Sequence, residues 1–477
     1  MSHLHFIALI FALILFMNDP AAAEVTTYPA PRGAPVTKDY SVTVGGKPVD
    51  VYMTLNKICF ATCDISGPAE VSVKLNFLPA ETEDRLTVHP LSLGIKCESK
   101  GNQYTFKVEK PSSLSLLVNG NYKGRALHLF LNPPCEPPPE GAIVYKPGKH
   151  VLPLDEPITL TDGQVVYLAG GAWVEGLIRG RKAKGVTVMG RGVLSQSRAQ
   201  GKDYTGNSNV GPQGIVFHEC QDVRVSGIIV TRTVGGWCNR VVNCDRVHVD
   251  NLHVVTGAKP STDGFNPCNS RNVTIENSFF RTQDDCIAIK GNTGPSVVKD
   301  STTPPASQPP VEDITVRGCT FWCDRNQVVV IGLETRAKHI RNVTVSDCDV
   351  VYHAKYFRDL GVFDIIPMYS TDIRNIRFEN CRVEHCENKL FVFRYVKEMY
   401  GLKGNHSFPG TIDGVTIKDI SVRHQRLGPR SEFTGWSSRQ QVKNVSISGL
   451  RYGDKLITDA NSMGLETKHT EGVSFVE

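Results

Sequence analysis

The chain has 477 residues with a formal net charge of +5, 40% hydrophobic side chains, 42 glycines and 28 prolines. That length can bury a large core, and the turn-rich composition points to a β-rich protein. The mild basicity comes with no long charge run, so a nucleic-acid partner is excluded as the leading expectation.

Residues 6–17 (FIALIFALILFM) are an apolar run too short to span a bilayer comfortably, followed by Ala21-Ala22-Ala23 before Glu24. This reads as a signal peptide over 1–23, cleaved near Ala23-Glu24, and hence a secreted or periplasmic protein. After cleavage no membrane association is expected. An uncleaved N-terminal anchor is the alternative.

Short β-type runs then alternate with turns: SVTVGG, VDVYMTL, AEVSVKLNF, YTFKVEK, SLSLLVNG and ALHLFLN. Their period of two predicts a small β-sandwich over 24–131 that props the rest of the molecule. Cys59 and Cys63 in CFATC are spaced for a local disulfide in this reading. Residues 132–141 (NPPCEPPPEG) form a stiff Pro-rich linker, since consecutive prolines cannot continue a central strand. The remaining 142–477 read as one catalytic domain.

An internal repeat decides the fold of that domain. It starts as GVTVMGRGVLSQ at Gly185 and returns as DVRVSGIIVTR, RVHVDNLHVVT, NVTIENSFFRT, DITVRGCTFWC, NVTVSDCDVVY, NIRFENCRVEH, GVTIKDISVRH and NVSISGLRYGD. The nine first anchors (Val186, Val223, Val247, Val273, Ile314, Val343, Ile376, Val415, Val445) lie 24 to 41 residues apart. A single copy cannot cover its own apolar face, so the copies must stack. The prediction is an all-β chain: a right-handed parallel β-helix preceded by the sandwich. Five residues past the anchor, Cys319, Cys348 and Cys381 occupy a slot where other copies carry Ile or Leu, so they should be buried thiols. Cys323 and Cys386 lie outside the slot, to be paired or free.

The chemistry centres on residues 261–290, STDGFNPCNSRNVTIENSFFRTQDDCIAIK. Asp263 precedes the pair Asp284-Asp285 by about one coil, so the three carboxylates should face one open groove. Three clustered aspartates suit acid–base hydrolysis of a glycoside. One keeps its proton because like charges crowd it, and the others hold the attacking water. An inverting pair would stand roughly 6.5–9.5 Å apart. The alternative is that TDG and QDD are turn residues at rung corners.

STDG followed by QDDCIAIKG resembles the polygalacturonase family, glycoside hydrolase family 28, whose usual form is NTD then QDDC at this separation. The resemblance covers roughly 142–460. It implies a right-handed β-helix, inverting hydrolysis of a polysaccharide, Asp284 as general acid, and Asp263 and Asp285 as positioners of the water. The family's GHG and RIK motifs have no counterpart here; their rungs read Asp324-Arg325-Asn326-Gln327-Val328 and Val350-Val351-Tyr352-His353-Ala354-Lys355-Tyr356. Those rungs, and the sandwich-plus-helix architecture, are similar to the dextranase and isopullulanase family, glycoside hydrolase family 49. The sugar, its linkage and endo or exo action stay open.

Rung alignment places Asn326 and Gln327 beside the acids. Lys290, Tyr352, Lys355, Tyr356 and Arg358 are candidate subsite residues, and Trp237 a stacking platform on the upstream rung. The Pro- and Ser-rich insert 291–312 is expected to wall the cleft. No cofactor or metal is expected, and the oligomeric state is open. A polysaccharide lyase and a non-catalytic glycan-binding β-helix are the competing readings.

Overall fold

The computed structural model describes residues 24–54, 58–198, 213–257, 259–291, 307–354, 359–399, 402–403, 405–407 and 410–476. The expected leader, most of the insert 291–312, and Lys355, Tyr356 and Arg358 lie outside them.

Residues 143–476 form a right-handed parallel β-helix of three long sheets with 12, 12 and 11 strands. The first runs from Ile143–Tyr145 to Thr470–Val476, the second from Gly148–Val151 to Lys455–Leu456, and the third from Ile158–Leu160 to Leu465–Lys468. All nine anchors are at most 2% exposed. Each sits directly after a residue in the left-handed backbone region: Asp222, Arg246, Asn272, Asp313, Asn342, Asn375 and Asn444 (φ 51° to 56°), or Gly185 and Gly414. A second such corner falls four residues past each anchor, from Gly190 and Gly227 to Asp419 and Gly449. Asn, Asp and Gly tolerate this conformation best, which is why they punctuate every copy. Several corner amides also ladder between rungs, as where Asn342 donates to Asp313 and Asn375 to Asn342, both at 2.8 Å.

The helix extends beyond the nine copies at both ends. Ile143–Tyr145 and Val165–Leu168 open the first sheet, and Thr470–Val476 closes it by pairing Val445 with Val473. The opening rungs escape the repeat because Gln164 stands where later copies carry an apolar anchor. The closing rung repeats Gly472-Val473-Ser474-Phe475 but is half-exposed, capping the stack.

Residues 25–132 form two mainly antiparallel sheets, of six and five strands, that enclose their own core. The outer face of one packs through Tyr52, Phe60 and Phe130 onto Trp173, Val193, Ile229, Val255 and Phe279 of the second helical sheet. Arg191, which occupies the inward slot of the first copy, turns out of the core instead and pairs with Asp64 at 2.7 Å.

All fourteen cysteines are free thiols. Cys59 and Cys63 do not bridge. They share the single strand Ile58–Ile65, and four residues of extended chain separate their Cα atoms by about 13 Å, twice the reach of a disulfide. Cys319, Cys348 and Cys381 are at most 1% exposed, with the Cys348 thiol between the other two. Cys323 and Cys386 are likewise buried and free.

Candidate active site

The three aspartates lie where the chain turns from the second sheet into the third. Phe265 pairs with Ile287 and Ile287 with Val329, so residues two positions earlier stack in one column: Asp263, Asp285, Gln327. Trp237 extends it upstream, because Asn239 pairs with Phe265. The register thus aligns Asp263 with Asp285, with Asp284 one residue to the side. Backbone bonds hold the column, from Cys238 N to Asp263 O at 2.8 Å and from Gly264 N to Asp285 O at 2.9 Å.

One carboxylate oxygen from each aspartate lies within 4.8 Å of the others. This is narrower than the gap expected for an inverting pair. The reason is the fold: consecutive rungs stand about 4.8 Å apart, and two of the acids share one column. It is also the span of a single water hydrogen-bonded to two carboxylate oxygens, about 4.5 Å for two bonds of 2.7–2.8 Å at a bent angle. Nor is the site an open groove. Asp263 and Asp285 are 2% and 3% exposed, and Asp284 is the partly exposed member.

Burial holds the Asp263 carboxyl well above the usual carboxylate range, reinforced by repulsion from Asp284. Asp285 is raised well above it too, by burial and then by Asp263 and Asp284. Asp284 is raised by burial but opposed by its donors. Its Oδ1 accepts the Asn326 side-chain amide at 2.7 Å and the Asp285 N–H at 3.1 Å, and its Oδ2 accepts the Ser261 N–H at 2.9 Å. Donors of this kind stabilise the ionised form. Burial thus keeps a proton within the cluster, while the donors around Asp284 work against the rise of its carboxyl.

Lys290 is 3% exposed, bonds Glu334 at 2.9 Å and lies 4.8 Å from the centre of the Trp237 ring. Burial works against its ammonium, but Glu334, then Asp263 and Asp285, outweigh it and hold the charge in place. Arg240 approaches the same ring, 5.4 Å from its centre. Trp237 is 7% exposed, so its ring is a floor under two cations more than an open stacking platform. The Gln327 N–H reaches Asp285 Oδ1 at 3.3 Å, and its side chain faces the buried Asp364. Burial pushes the Asp364 carboxyl up to about 7, against the N–H groups of Gly361 and Val392.

Asn326, Gln327, Lys290 and Trp237 thus gather around the acids. Tyr352 does not. It lies on the second sheet, 2% exposed, stacked on Tyr122 of the sandwich with centroids 5.0 Å apart. The alternation of strand Asp349–His353 turns it toward the sandwich and away from the carboxylates. Sequence reasoning missed Ser261, Glu334, Arg240 and Asn266, whose amide donates to Asp263 Oδ2 at 2.7 Å. Glu334 and Arg240 were findable, since Arg240 lies in the third-sheet strand Asn239–Val242 and Glu334 directly follows Val329–Leu333 on neighbouring rungs; the Ser261 contact is made by backbone and leaves no residue signature. If a cation were held here, the three aspartate oxygens are the groups that would hold it.

The parallel β-helix and its column of acids are the features by which the chain is compared with known families. The chain belongs to glycosyl hydrolases family 28, whose model matches residues 170–449. Polygalacturonase QRT2 of Arabidopsis thaliana is 35% identical over 258 residues, covering 50% of this chain and 54% of that protein. The chain thus spans about half the length of the curated relatives it matches. Among solved structures, Dex49A from Penicillium minioluteum aligns over 94% of this chain and 96% of its own at 14% identity and TM-score 0.57. An exopolygalacturonase from Thermotoga maritima aligns over 70% and 84% at 15% identity and TM-score 0.51. Both are likenesses of fold.

Proposed function

We propose that the protein is an exported, inverting hydrolase of a galacturonate-containing polysaccharide. The observation that carries this reading is the convergence of Asp263, Asp284 and Asp285 into one buried oxygen cluster inside the family-matched segment. Lys290, which pairs with Glu334, and Arg240 are both buried against Trp237, and a uronate carboxylate would share their charge with Glu334. Export rests on the apolar leader of residues 6–17 and the small residues after it.

In the proposed reaction one carboxyl protonates the leaving glycosidic oxygen while the others hold and deprotonate a water on the opposite face of the sugar. Asp284 is the donor, as the family resemblance implies, and its partial exposure puts it where a leaving oxygen can reach. As substrate displaces solvent, the proton that burial keeps within the cluster is held at Asp284, leaving Asp263 and Asp285 ionised. The two deprotonated column members then hold the water between them. The narrow spacing favours a shared water, and three acids rather than two are what such sharing requires.

A reducing-end assay over polygalacturonate, rhamnogalacturonan, dextran and pullulan tests the reading. Release from a galacturonate polymer, lost in Asp284→Asn, is expected. Release from dextran or pullulan alone would move the substrate to neutral glucans, and unsaturated uronide products would make the enzyme a lyase. No release from any polysaccharide leaves a glycan-binding protein.

A further inference from the structure

Beside the acids, on the second-sheet side of the same turn, the sandwich and the β-helix enclose a cavity of about 330 Å³. The sandwich contributes Tyr122, Lys123 and Gly124 from the hairpin tip between strands Ser112–Val118 and Ala126–Asn132. The β-helix contributes Arg281, Gln283, Asp324, Tyr352 and Glu387. Two of these residues tie the cavity to the catalytic cluster. Gln283 immediately precedes Asp284, with Cα atoms about 3.8 Å apart. Asp324 shares its turn with Asn326, the residue that bonds Asp284. Gln283, Asp284, Asp324 and Arg325 are all partly exposed, so the corner between the acids and the cavity presents its side chains to solvent.

The lining fits a hydroxyl-rich, uncharged ligand. Its volume falls in the range of about 300–1,000 Å³ typical of small-molecule sites. One wall is aromatic, with Tyr122 stacked on Tyr352 and 5.8 Å from Trp322. The polar groups are fixed in advance. Asp324 accepts from Arg281 at 2.9 Å, Trp322 Nε1 at 2.8 Å and Gln283 Nε2 at 3.1 Å. Glu387 accepts the Tyr352 hydroxyl at 3.0 Å and pairs with Lys123 at 3.1 Å. Each cation in the cavity is already matched by a carboxylate, so a second uronate would meet Asp324 or Glu387 without a counter-charge of its own. Sugar hydroxyls, which donate and accept, meet both kinds of group.

Resting on the proposed hydrolase reading, we propose that this cavity is a further saccharide subsite, built jointly by the sandwich and the β-helix. It holds an uncharged sugar unit of the substrate next to the bond cut at Asp284. The preferred substrate is then a galacturonan bearing neutral sugars, and the sandwich takes part in recognising it.

The test is calorimetric binding to the Asp284→Asn protein, which removes turnover, with two probes: a xylose-substituted oligogalacturonate and the unsubstituted oligogalacturonate of equal length. Tyr122→Ala should weaken the substituted probe about tenfold relative to the unsubstituted one, the scale of one aromatic contact. Lys123→Ala, on the exposed hairpin tip, should reduce the same preference with the melting temperature unchanged. Equal loss on both probes, or no loss in either variant, overturns the subsite. A selective loss in binding alongside no hydrolysis of any polysaccharide by the unsubstituted enzyme would keep the subsite and reject the hydrolase reading.

Discussion

The side-chain amide of Asn326 donates to Asp284 Oδ1 at 2.7 Å across one rung of the helix. It is the strongest opponent of the burial that raises the Asp284 carboxyl. Asn326→Ala removes the donor, so the Asp284 pKa rises and its ionised form appears only at higher pH. The alkaline limb of the pH–activity profile should move to higher pH, and turnover should fall by about 10²-fold, the scale of one misplaced acid–base group. Steady-state rates from pH 3 to pH 8 check both; an unmoved alkaline limb would remove Asn326 from the machinery.

Asp263 and Asp285 should cost the protein stability when ionised. Their folded pKa values lie above the unfolded value of about 3.9. The folded state therefore binds more protons, and its stability is full below that value and declines as pH rises through the folded pKa. Asp263→Asn should melt higher than the parent at pH 8, with the difference shrinking toward pH 4. Thermal melts across that range read it directly.

The rung corners give a prediction independent of catalysis. Asn342 sits at φ 56° and donates to Asp313. A β-branched side chain there meets the left-handed penalty of about 1–2 kcal/mol and loses the ladder bond. Asn342→Val should lower the denaturation midpoint, whereas Asn342→Gly should keep most of the stability. Equal effects would mean that the corner conformation is not what holds Asn in the repeat.

Much of this was legible in the sequence because each rung repeats the same physical demand. An Asn, Asp or Gly at the corner followed by apolar anchors is the requirement of a left-handed turn feeding an inward strand, and it made the helix and its core readable. The stacking of the acids was readable for the same reason, since one coil separates Asp263 from Asp285. Tyr352 was misplaced because the pattern gives its rung but not which neighbour covers the outer face. Only the packing of the sandwich, through Phe60 and Phe130 onto the second sheet, decides that. The pair Lys290–Glu334 joins consecutive rungs through side chains that no periodicity marks.

The thiols separate into two classes. Twelve cysteines are buried, while Cys97 and Cys135 are half-exposed. A thiol reagent should label those two in the native protein and all fourteen after denaturation. Native protection of Cys97 and Cys135, with full labelling of the slot cysteines, would contradict the core assignment.

The central claim is that Asp263, Asp284 and Asp285 act together on one glycosidic bond with inversion. The most direct measurement is proton NMR of the first product formed from an oligogalacturonate, run beside the Asp284→Asn protein at equal concentration. The account predicts that the inverted anomer appears first and equilibrates later, while Asp284→Asn keeps its fold and loses turnover by orders of magnitude. Early product of retained configuration, or near-normal turnover in Asp284→Asn, would contradict it.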